Sequence, residues 1–278
     1  MNLDTIGVIG NTALASAIAA RLASGIKPPR VLVHGLDAAH LATLTKRARF
    51  ERAPNLFDLA SECEAVIAAF DTHASLREAL TGTPDRPGLL GAMTPGALLI
   101  DMSGGLPGES LRLAGQLAGG AIGLVEIGFA SVRDIATGQA RLFAGGFGEH
   151  IDDLTPILSR LGTLKRSGPQ GSGRMLAALT ESIRATYHAA MAEAQAIAAA
   201  NGIVPDELAD PPTSADEIAE FAAQLDAAKA IATAHNIQTP IFDAVKVQSY
   251  AASSQSGELS VPPPPCGEGK GGGRSNQN

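Results

Sequence analysis

Three side chains capable of acid–base and anion-binding chemistry are spaced along one helical segment. Glu181, Arg184 and His188 follow one another at intervals of three and four residues, which places them on one face of an α-helix. The carboxylate and the imidazole could carry protons if burial moved their pKa values toward neutrality, and the guanidinium could hold a carboxylate. Thr180 and Tyr187 flank this face as candidate substrate contacts. A solvated face with a Glu–Arg pair, and a core position for Tyr187, fit the same pattern.

A phosphate-binding turn is the second candidate site, near the start of the chain. An apolar run ends at Gly10, and small residues then lead into an Ala-rich helical pattern. This order predicts a strand, a tight turn and a helix whose N-terminal N–H groups attract phosphate. Thr12 and Ala15 stand where further glycines would be expected, and we expect the Thr12 side chain to crowd a pyrophosphate. A plain βα turn is the alternative. The candidate dinucleotide contacts here are Gly10, Asn11, Thr12, Ala13 and Leu14.

Residues at the ends of three later apolar runs complete the candidate dinucleotide site. Asp37, in the turn after the second run, could accept hydrogen bonds from ribose hydroxyls or could cap the next helix. Phe70 and Asp71 end another run, and Ser103 ends a fourth, where it is a candidate contact near a nicotinamide ribose. No arginine follows the second run to pair with a 2′-phosphate. The absence of this arginine slightly favours NAD as the cofactor, but the choice between NAD and NADP stays open.

Strands and helices that alternate along the first part of the chain must position the candidate dinucleotide contacts. Apolar runs typical of buried strands cover residues 6–9, 30–35, 64–70, 97–103, 121–129 and 140–144, and a helix is predicted over 38–46. Strands that alternate with helical stretches predict an α/β domain with a doubly wound parallel sheet of the Rossmann type. Ligands of such sheets bind outside the carboxyl ends of the strands.

The pattern changes after Gly171-Ser172-Gly173. Residues 174–200 contain no Gly or Pro, which predicts a helix of about seven turns, and further helices are predicted over 216–234 and 241–254. The predicted organisation is a dinucleotide-binding domain over 1–166 and an all-α dimerisation domain over 167–255. Residues 256–278 are rich in Pro and Gly and form a tail that we expect to be disordered.

Composition narrows the classes of function. The 278 residues carry a formal net charge of −7, which argues against a nucleic-acid partner. Two distant cysteines, Cys63 and Cys266, build neither a disulfide framework nor a metal site. With no signal-peptide pattern and no apolar run of about 20 residues, we expect a cytoplasmic protein with no membrane partner.

Several motifs resemble those of the β-hydroxyacid dehydrogenase superfamily, which includes 3-hydroxyisobutyrate dehydrogenase, 6-phosphogluconate dehydrogenase and the imine reductases. The segment Ile100-Asp101-Met102-Ser103 with Pro107 resembles the family's I-D-M-S-T…P motif. Ala144-Gly145-Gly146, the glycines that enter the long helix and Pro240 are similar to further family segments. The resemblance covers residues 3–255. It implies an NAD or NADP cofactor, a small-molecule substrate, and an intertwined homodimer whose helical domains complete the active site.

Departures from the family pattern fall on its catalytic positions. The family's lysine position holds Ala177, and Thr180 and Glu181 stand where two asparagines would be. The serine of the family's substrate segment falls on Phe129, although a small shift of register would bring Ser131 close. A later Lys-Asp pair falls on residues 223–224, which are Ala and Gln. Alanine cannot exchange a proton, so the chain is not an ordinary 3-hydroxyacid dehydrogenase.

The leading hypothesis is therefore an NAD(P)-dependent oxidoreductase with a non-standard active site. Its substrate would be a small keto/hydroxy or imine/amine compound, because imine reductases also lack the lysine and an already protonated imine needs less acid assistance. The face that carries Glu181, Arg184 and His188 should then look into the cleft, with Glu181 and His188 as proton carriers. Two alternatives are a catalytically silent dinucleotide-binding or regulatory homologue and a dimerising structural protein without cofactor.

Overall fold

Eight strands form one sheet in the computed structural model, which describes residues 3–37, 39, 41–42, 50–204, 229, 232–234, 236–241 and 243–244. The sheet strands are β1 (Thr5–Ile9), β2 (Arg30–His34), β3 (Phe50–Arg52), β4 (Ala65–Ala68), β7 (Leu98–Asp101), β8 (Gly123–Gly128), β9 (Ala140–Gly146) and β10 (Gly162–Gly168). A separate antiparallel hairpin pairs β5 (Gly82–Thr83) with β6 (Arg86–Pro87). The predicted helix over 38–46, the helices over 216–234 and 241–254 and the tail lie wholly or largely outside the described residues.

Helices cover both faces of this sheet. They are α1 (Ala13–Leu22), α2 (Leu56–Glu62), α3 (His73–Thr81), α4 (Pro107–Ala118), α5 (Val132–Thr137), α6 (Gly148–Leu158) and the long helix α7 (Ser172–Ala200). Two buried apolar clusters lie on the two sides of the strands: in β2, Val31 and Val33 belong to one cluster and Leu32 to the other. Because successive side chains of a strand point to opposite faces, this alternation explains why the strands appear as continuous apolar runs.

The strand order is β10-β9-β8-β7-β4-β1-β2-β3. Six adjacent strands run parallel to one another, in the order β8-β7-β4-β1-β2-β3, which confirms the predicted doubly wound Rossmann-type sheet. One pair departs from the parallel arrangement, because β9 is antiparallel to β8. The connection between them, residues 129–139, contains only the short helix α5.

The chain divides into two compact units, of which the first ends at Arg184 and the second begins at Ala185. The division falls inside α7, whose first turns therefore belong with the sheet. In the described part of the second unit, the backbone N–H of Ile241 donates to the carboxylate of Glu193 at 2.9 Å. The predicted domain boundary at residues 166/167 and the all-α character of residues 167–255 stay predictions. No helix among the described residues combines the length and the apolar character that a membrane crossing requires.

Candidate functional site

The turn between β1 and α1 has the geometry of a phosphate cradle. Gly10 adopts a φ of +145°, and a Cβ there would lie 2.1 Å from the carbonyl oxygen of Ala69, so only glycine allows this close approach of β1 to the end of β4. The N–H groups of Ala13 and Leu14 lie in the first turn of α1, where no intrahelical acceptor exists. Such N–H groups are suited to bind the oxygens of a pyrophosphate.

Thr12 does not crowd this cradle, contrary to the expectation from sequence. Its hydroxyl donates to the carbonyl of Ala69 at 2.9 Å and accepts from the N–H of Ala15 at 3.1 Å. The side chain is therefore the N-cap of α1 and lies buried beneath the turn. The threonine hydroxyl is thus taken up by the cap and by Ala69, while the residue also lines the smaller cleft.

Two cavities lie on either side of the cradle. A larger cavity of about 840 Å³ is bordered by residues from the ends of β1, β2 and β4 and by α2, α3 and the hairpin, among them Asn11, His34, Asn55, Asp58 and Phe70. A smaller cleft of about 340 Å³ is lined by Thr12, Leu14, Phe70, Asp71, Met102, Ser103, Gly104, Gly105, Ile127, Gly128, Phe129, Val132, Arg174 and Ala177. Phe70 borders both, so an extended ligand with two ends could span them across the Gly10 turn.

The turn after β2 closes one side of the cradle. Gly35 has a φ of +92°, and a Cβ there would come within 2.9 Å of the carbonyl oxygen of Gly10. Asp37 is exposed, and its carbonyl accepts from the N–H of Leu41 at 3.0 Å, which places Asp37 at the start of a helical turn. The His34 ring contacts the carbonyl of Ala53 through Nδ1 at 3.2 Å. Asp37 borders neither cavity, so both of its sequence-based interpretations stay open.

Ser103 joins the ends of β4 and β7 beside the smaller cleft. Its hydroxyl accepts from the N–H of Phe70 at 3.1 Å, and its own N–H donates to the carboxylate of Asp101 at 2.9 Å. Gly104 continues this contact by donating to the carbonyl of Phe70 at 2.8 Å. The predicted contacts Phe70, Asp71 and Ser103 therefore meet at one edge of the sheet.

Two glycines, which carry no side chain, let the first turn of α7 pack closely against strands β8 and β9. A Cβ on Gly128 would lie 2.2 Å from the carbonyl oxygen of Gly173 and 2.7 Å from the Cβ of Ala177. A Cβ on Gly173 would lie 2.2 Å from the carbonyl oxygen of Phe143. Ala177 is consequently buried at the wall of the smaller cleft, where its methyl group supplies no proton.

Sequence reasoning missed a buried charged cluster under this helix turn. Arg174, whose side chain is 6% exposed, donates to Asp101 at 2.5 Å, and its Nε lies 3.8 Å from Glu126. Glu126 accepts from the backbone N–H groups of Gly173 and Arg174 at 2.8 and 3.3 Å. Asp101 and Glu126 are both fully buried. Hydrogen bonds to these two carboxylates thus hold the N-terminus of α7 against the ends of β7 and β8.

The surroundings of Asp101 shift the pKa of its carboxyl group. Burial raises the pKa of this carboxyl above its usual value, and the neighbouring Arg174 guanidinium and the Ser103 N–H oppose that rise. A signal for the cluster was present in the sequence, because Asp101 and Glu126 each interrupt an apolar strand. Buried carboxylates require a partner, and Arg174 is the basic residue in the first turn of the long apolar helix α7.

The predicted substrate residues beyond Ala177 lie outside the lining of either cavity. Glu181 and Arg184 form an ion pair at 3.1 Å with side chains 42% and 51% exposed, and Thr180 donates to the carbonyl of Leu176. His188 is exposed, and its ring lies 5.8 Å from that of the half-buried Tyr187. In the first unit, Phe129 lines the cleft, whereas the half-buried Ser131 precedes α5 without capping it. The roles of these residues stay predictions.

A Rossmann-type sheet with a helix N-terminus beside two cavities is typical of dinucleotide-binding proteins. The family described as the NAD-binding domain of 6-phosphogluconate dehydrogenase matches residues 5–168. The chain belongs to this family of NAD(P)-binding oxidoreductases, which confirms the resemblance drawn from sequence.

Three similar proteins illustrate the range of this family. The chain is 28% identical over 174 residues to "Probable 3-hydroxyisobutyrate dehydrogenase-like 3, mitochondrial" of Arabidopsis thaliana, a match that covers 61% of the chain and 50% of that relative. The imine reductase of Streptomyces aurantiacus superposes with a TM-score of 0.74 at 16% identity, covering 91% of this chain and 95% of that one. The 3-hydroxyisobutyrate dehydrogenase of Salmonella typhimurium gives 0.62 at 18% identity, with 90% and 94% covered. At these identities the two solved structures establish the fold alone.

Proposed function

We propose that the protein is an NAD(P)-dependent oxidoreductase that transfers a hydride between the nicotinamide cofactor and a small keto/hydroxy or imine/amine compound. The observation that carries the proposal is the pair of cavities that flank the Gly10 turn and share Phe70. They match the two ends of a dinucleotide whose pyrophosphate would lie on the N–H groups of Ala13 and Leu14. The nicotinamide, when bound, supplies the hydride-transfer chemistry.

The smaller cleft favours a substrate that needs little acid assistance. Ala177 occupies the wall where the family resemblance places a lysine, and an alkyl side chain neither donates nor accepts a proton. An imine that arrives protonated avoids this requirement. The same observation favours a second candidate function, a dinucleotide-binding homologue without catalysis.

A homodimer is the third part of the proposal. Met175, Leu179 and Ile183 form a stripe at intervals of four residues on α7 and are 50%, 54% and 72% exposed. An exposed apolar stripe of this kind is typical of a helix that packs against a partner. We infer that the partner is a second copy of the chain, as the family resemblance implies. The cytoplasmic location also stays a prediction.

Cofactor binding is tested by titrating the protein with NADH and NADPH while following fluorescence and thermal unfolding. A ligand at a hundredfold excess over its Kd raises the free energy of unfolding by about 2.7 kcal/mol. Ala13→Glu is the diagnostic variant, because Ala13 is exposed at the first position of α1. A glutamate there repels a pyrophosphate, yet it interacts favourably with the helix dipole and does not weaken the fold.

Gly148→Glu is the matched control, since it adds the same charge at the first position of α6. That helix follows β9, whose carboxyl end lies at the opposite edge of the sheet. We expect the wild type and Gly148→Glu to bind one cofactor alike and Ala13→Glu to bind it at least tenfold more weakly. Absence of binding at millimolar NADH and NADPH contradicts the proposed oxidoreductase and the silent dinucleotide-binding homologue alike. Binding without turnover of any keto or imine compound favours the silent homologue.

A further inference from the structure

The smaller cleft offers a ligand one charged residue that it can reach. Asp71, which follows the end of β4, lines this cleft, is exposed, and takes part in no ion pair within the described part of the chain. Arg174 is the other charged residue among the described residues of the lining, but it is buried and its guanidinium is bound to Asp101. Asp71 therefore supplies the charge that a ligand in the cleft would meet, and this charge is negative.

The buried cluster behind the cleft does not compensate the charge of Asp71. Its guanidinium, on Arg174, faces two fully buried carboxylates, those of Asp101 and Glu126. When both carboxylates are ionised, the cluster is negative overall, and when the raised pKa of Asp101 leaves that carboxyl protonated, the cluster is neutral. Because neither state supplies positive charge, the electrostatic environment of the cleft favours a cation over an anion.

Aromatic and aliphatic side chains make up much of the remaining lining. Phe70 and Phe129, both half-buried, come to the cleft from the ends of β4 and β8. Aromatic rings attract cations through their electron-rich faces, so they add to the attraction that a carboxylate exerts. Leu14, Ile127 and Val132 add aliphatic surface to the same lining. A cation with an apolar body matches this combination of one carboxylate with aromatic and aliphatic groups.

We propose that the carboxylate of Asp71 binds the positively charged nitrogen of an alkyl amine or of the corresponding protonated imine, with the apolar body of this compound against Phe129 and Val132. The proposal rests on the oxidoreductase function proposed above and narrows its substrate to the imine/amine class. Alkyl amines are cations at neutral pH, whereas ketones and alcohols are uncharged and gain no attraction from a carboxylate. Asp71, predicted from sequence as a cofactor contact, is thereby assigned to the substrate.

Three probes with one skeleton and different charges test this proposal at neutral pH: the cation cyclohexylamine, the neutral cyclohexanol and the anion cyclohexanecarboxylate. Each is titrated into the protein alone and into the protein saturated with NADH or NADPH, with calorimetry as the readout. We expect cyclohexylamine to bind most tightly and cyclohexanecarboxylate most weakly, and added salt to weaken the binding of cyclohexylamine but not that of cyclohexanol. Binding of cyclohexanecarboxylate as tight as that of cyclohexylamine, or no binding of cyclohexylamine to either form, overturns the proposal.

A charge-removing variant connects the preference to Asp71. Asp71→Asn keeps the size of the side chain and should weaken the binding of cyclohexylamine about fivefold, strengthen that of cyclohexanecarboxylate and leave that of cyclohexanol unchanged. Asp153→Asn, the same change at an exposed site on α6, is the matched control and should leave all three affinities unchanged. Equal responses to Asp71→Asn and Asp153→Asn overturn the assignment of Asp71.

Cofactor binding is measured on the same proteins, so the two proposals can fail separately. Absence of NADH and NADPH binding contradicts the proposed function, and the affinities of the three probes for the cofactor-free protein then still test Asp71. Binding of a cofactor without a preference for cyclohexylamine contradicts only the role of Asp71.

Discussion

The guanidinium of Arg174 donates to the carboxylate of Asp101 across 2.5 Å and so joins the first turn of α7 to the end of β7. The two residues are 73 positions apart in sequence. The bond fixes the edge of the smaller cleft from beneath, because Ser103 and Gly104 follow Asp101 directly. The cleft wall and the attachment of the long helix therefore depend on the same buried pair.

The first prediction concerns the pH dependence of this pair. The folded-state pKa of Asp101 is raised by burial above its unfolded value of about 3.9. A raised pKa means that the favourable contribution is present below the unfolded pKa and is lost as the pH rises through the folded pKa. The free energy of unfolding of the wild type minus that of Asp101→Asn should therefore fall as the pH rises above about 4. Urea unfolding of both proteins between pH 4 and pH 7 measures this difference, and a rise with pH would contradict the assignment.

The second prediction concerns Thr12. Thr12→Ala removes the cap of α1 and the bond to Ala69 and should cost about 1–2 kcal/mol in the free energy of unfolding, while Thr12→Ser retains most of it. Because the Thr12 hydroxyl lies beneath the turn between β1 and α1, Thr12→Gly should not tighten the binding of NADH. Urea unfolding and NADH fluorescence check the two statements. A marked gain of affinity in Thr12→Gly would restore the view that threonine blocks the cradle.

Sequence patterns located the central strands because burial on both faces leaves continuous apolar runs, as in β4 and β7. They missed β3 and β10, which are edge strands with exposed polar residues such as Glu51 and Lys165. The reversal of β9 was also missed, since an apolar run does not encode the direction of its strand. The strand pairing in the folded sheet, rather than the local sequence, decides the presence of β3 and β10 and the direction of β9.

The candidate site was predicted in part for a similar reason. The positions of Gly10, Phe70 and Ser103 follow from the rule that ligands bind at the carboxyl ends of strands, and the structure places them together. Arg174 was passed over because a single arginine in a helix resembles a solvated side chain. Only the meeting of β7, β8 and α7 shows that it is buried between Asp101 and Glu126.

The third prediction concerns the choice of cofactor. If the carboxylate of Asp37 accepts from ribose hydroxyls, it repels the 2′-phosphate of NADPH, and the protein should bind NADH more tightly. Asp37→Ser should then reduce the ratio of the two affinities about tenfold. Asp153→Ser, an exposed site on α6, is the control for the loss of one negative charge. An unchanged ratio in Asp37→Ser leaves the capping role as the explanation of Asp37.

The fourth prediction concerns assembly through the apolar stripe of α7. Leu179→Glu places a charge at the centre of the stripe, where burial against a second copy would be strongly unfavourable, and should give a monomer. Leu111→Glu is the matched control, because Leu111 is 62% exposed on α4, outside that stripe. Size-exclusion chromatography with light scattering measures the mass of each protein. A monomeric wild type, or a dimeric Leu179→Glu, argues against this interface.

The fifth prediction concerns Glu181 and His188, the predicted proton carriers, whose exposure in the single chain contrasts with the burial that proton transfer favours. Their predicted role therefore requires the dimer to cover them, so the loss of activity and the loss of assembly should be linked. Glu181→Gln and His188→Ala should each lower kcat at least tenfold on the first keto or imine compound that the protein turns over, with KM little changed.

Activity, not stability, separates this role from the alternative of a solvated ion pair. An exposed Glu–Arg pair contributes about 0–1 kcal/mol, so Glu181→Gln should leave the free energy of unfolding nearly unchanged whichever view is right. Ser182→Ala, an exposed neighbour on the same helix, should leave kcat unchanged. If Glu181→Gln and His188→Ala are as active as the wild type, the pair is only a solvated helix face. Proton delivery must then come from the cleft itself, where Ala177 supplies none.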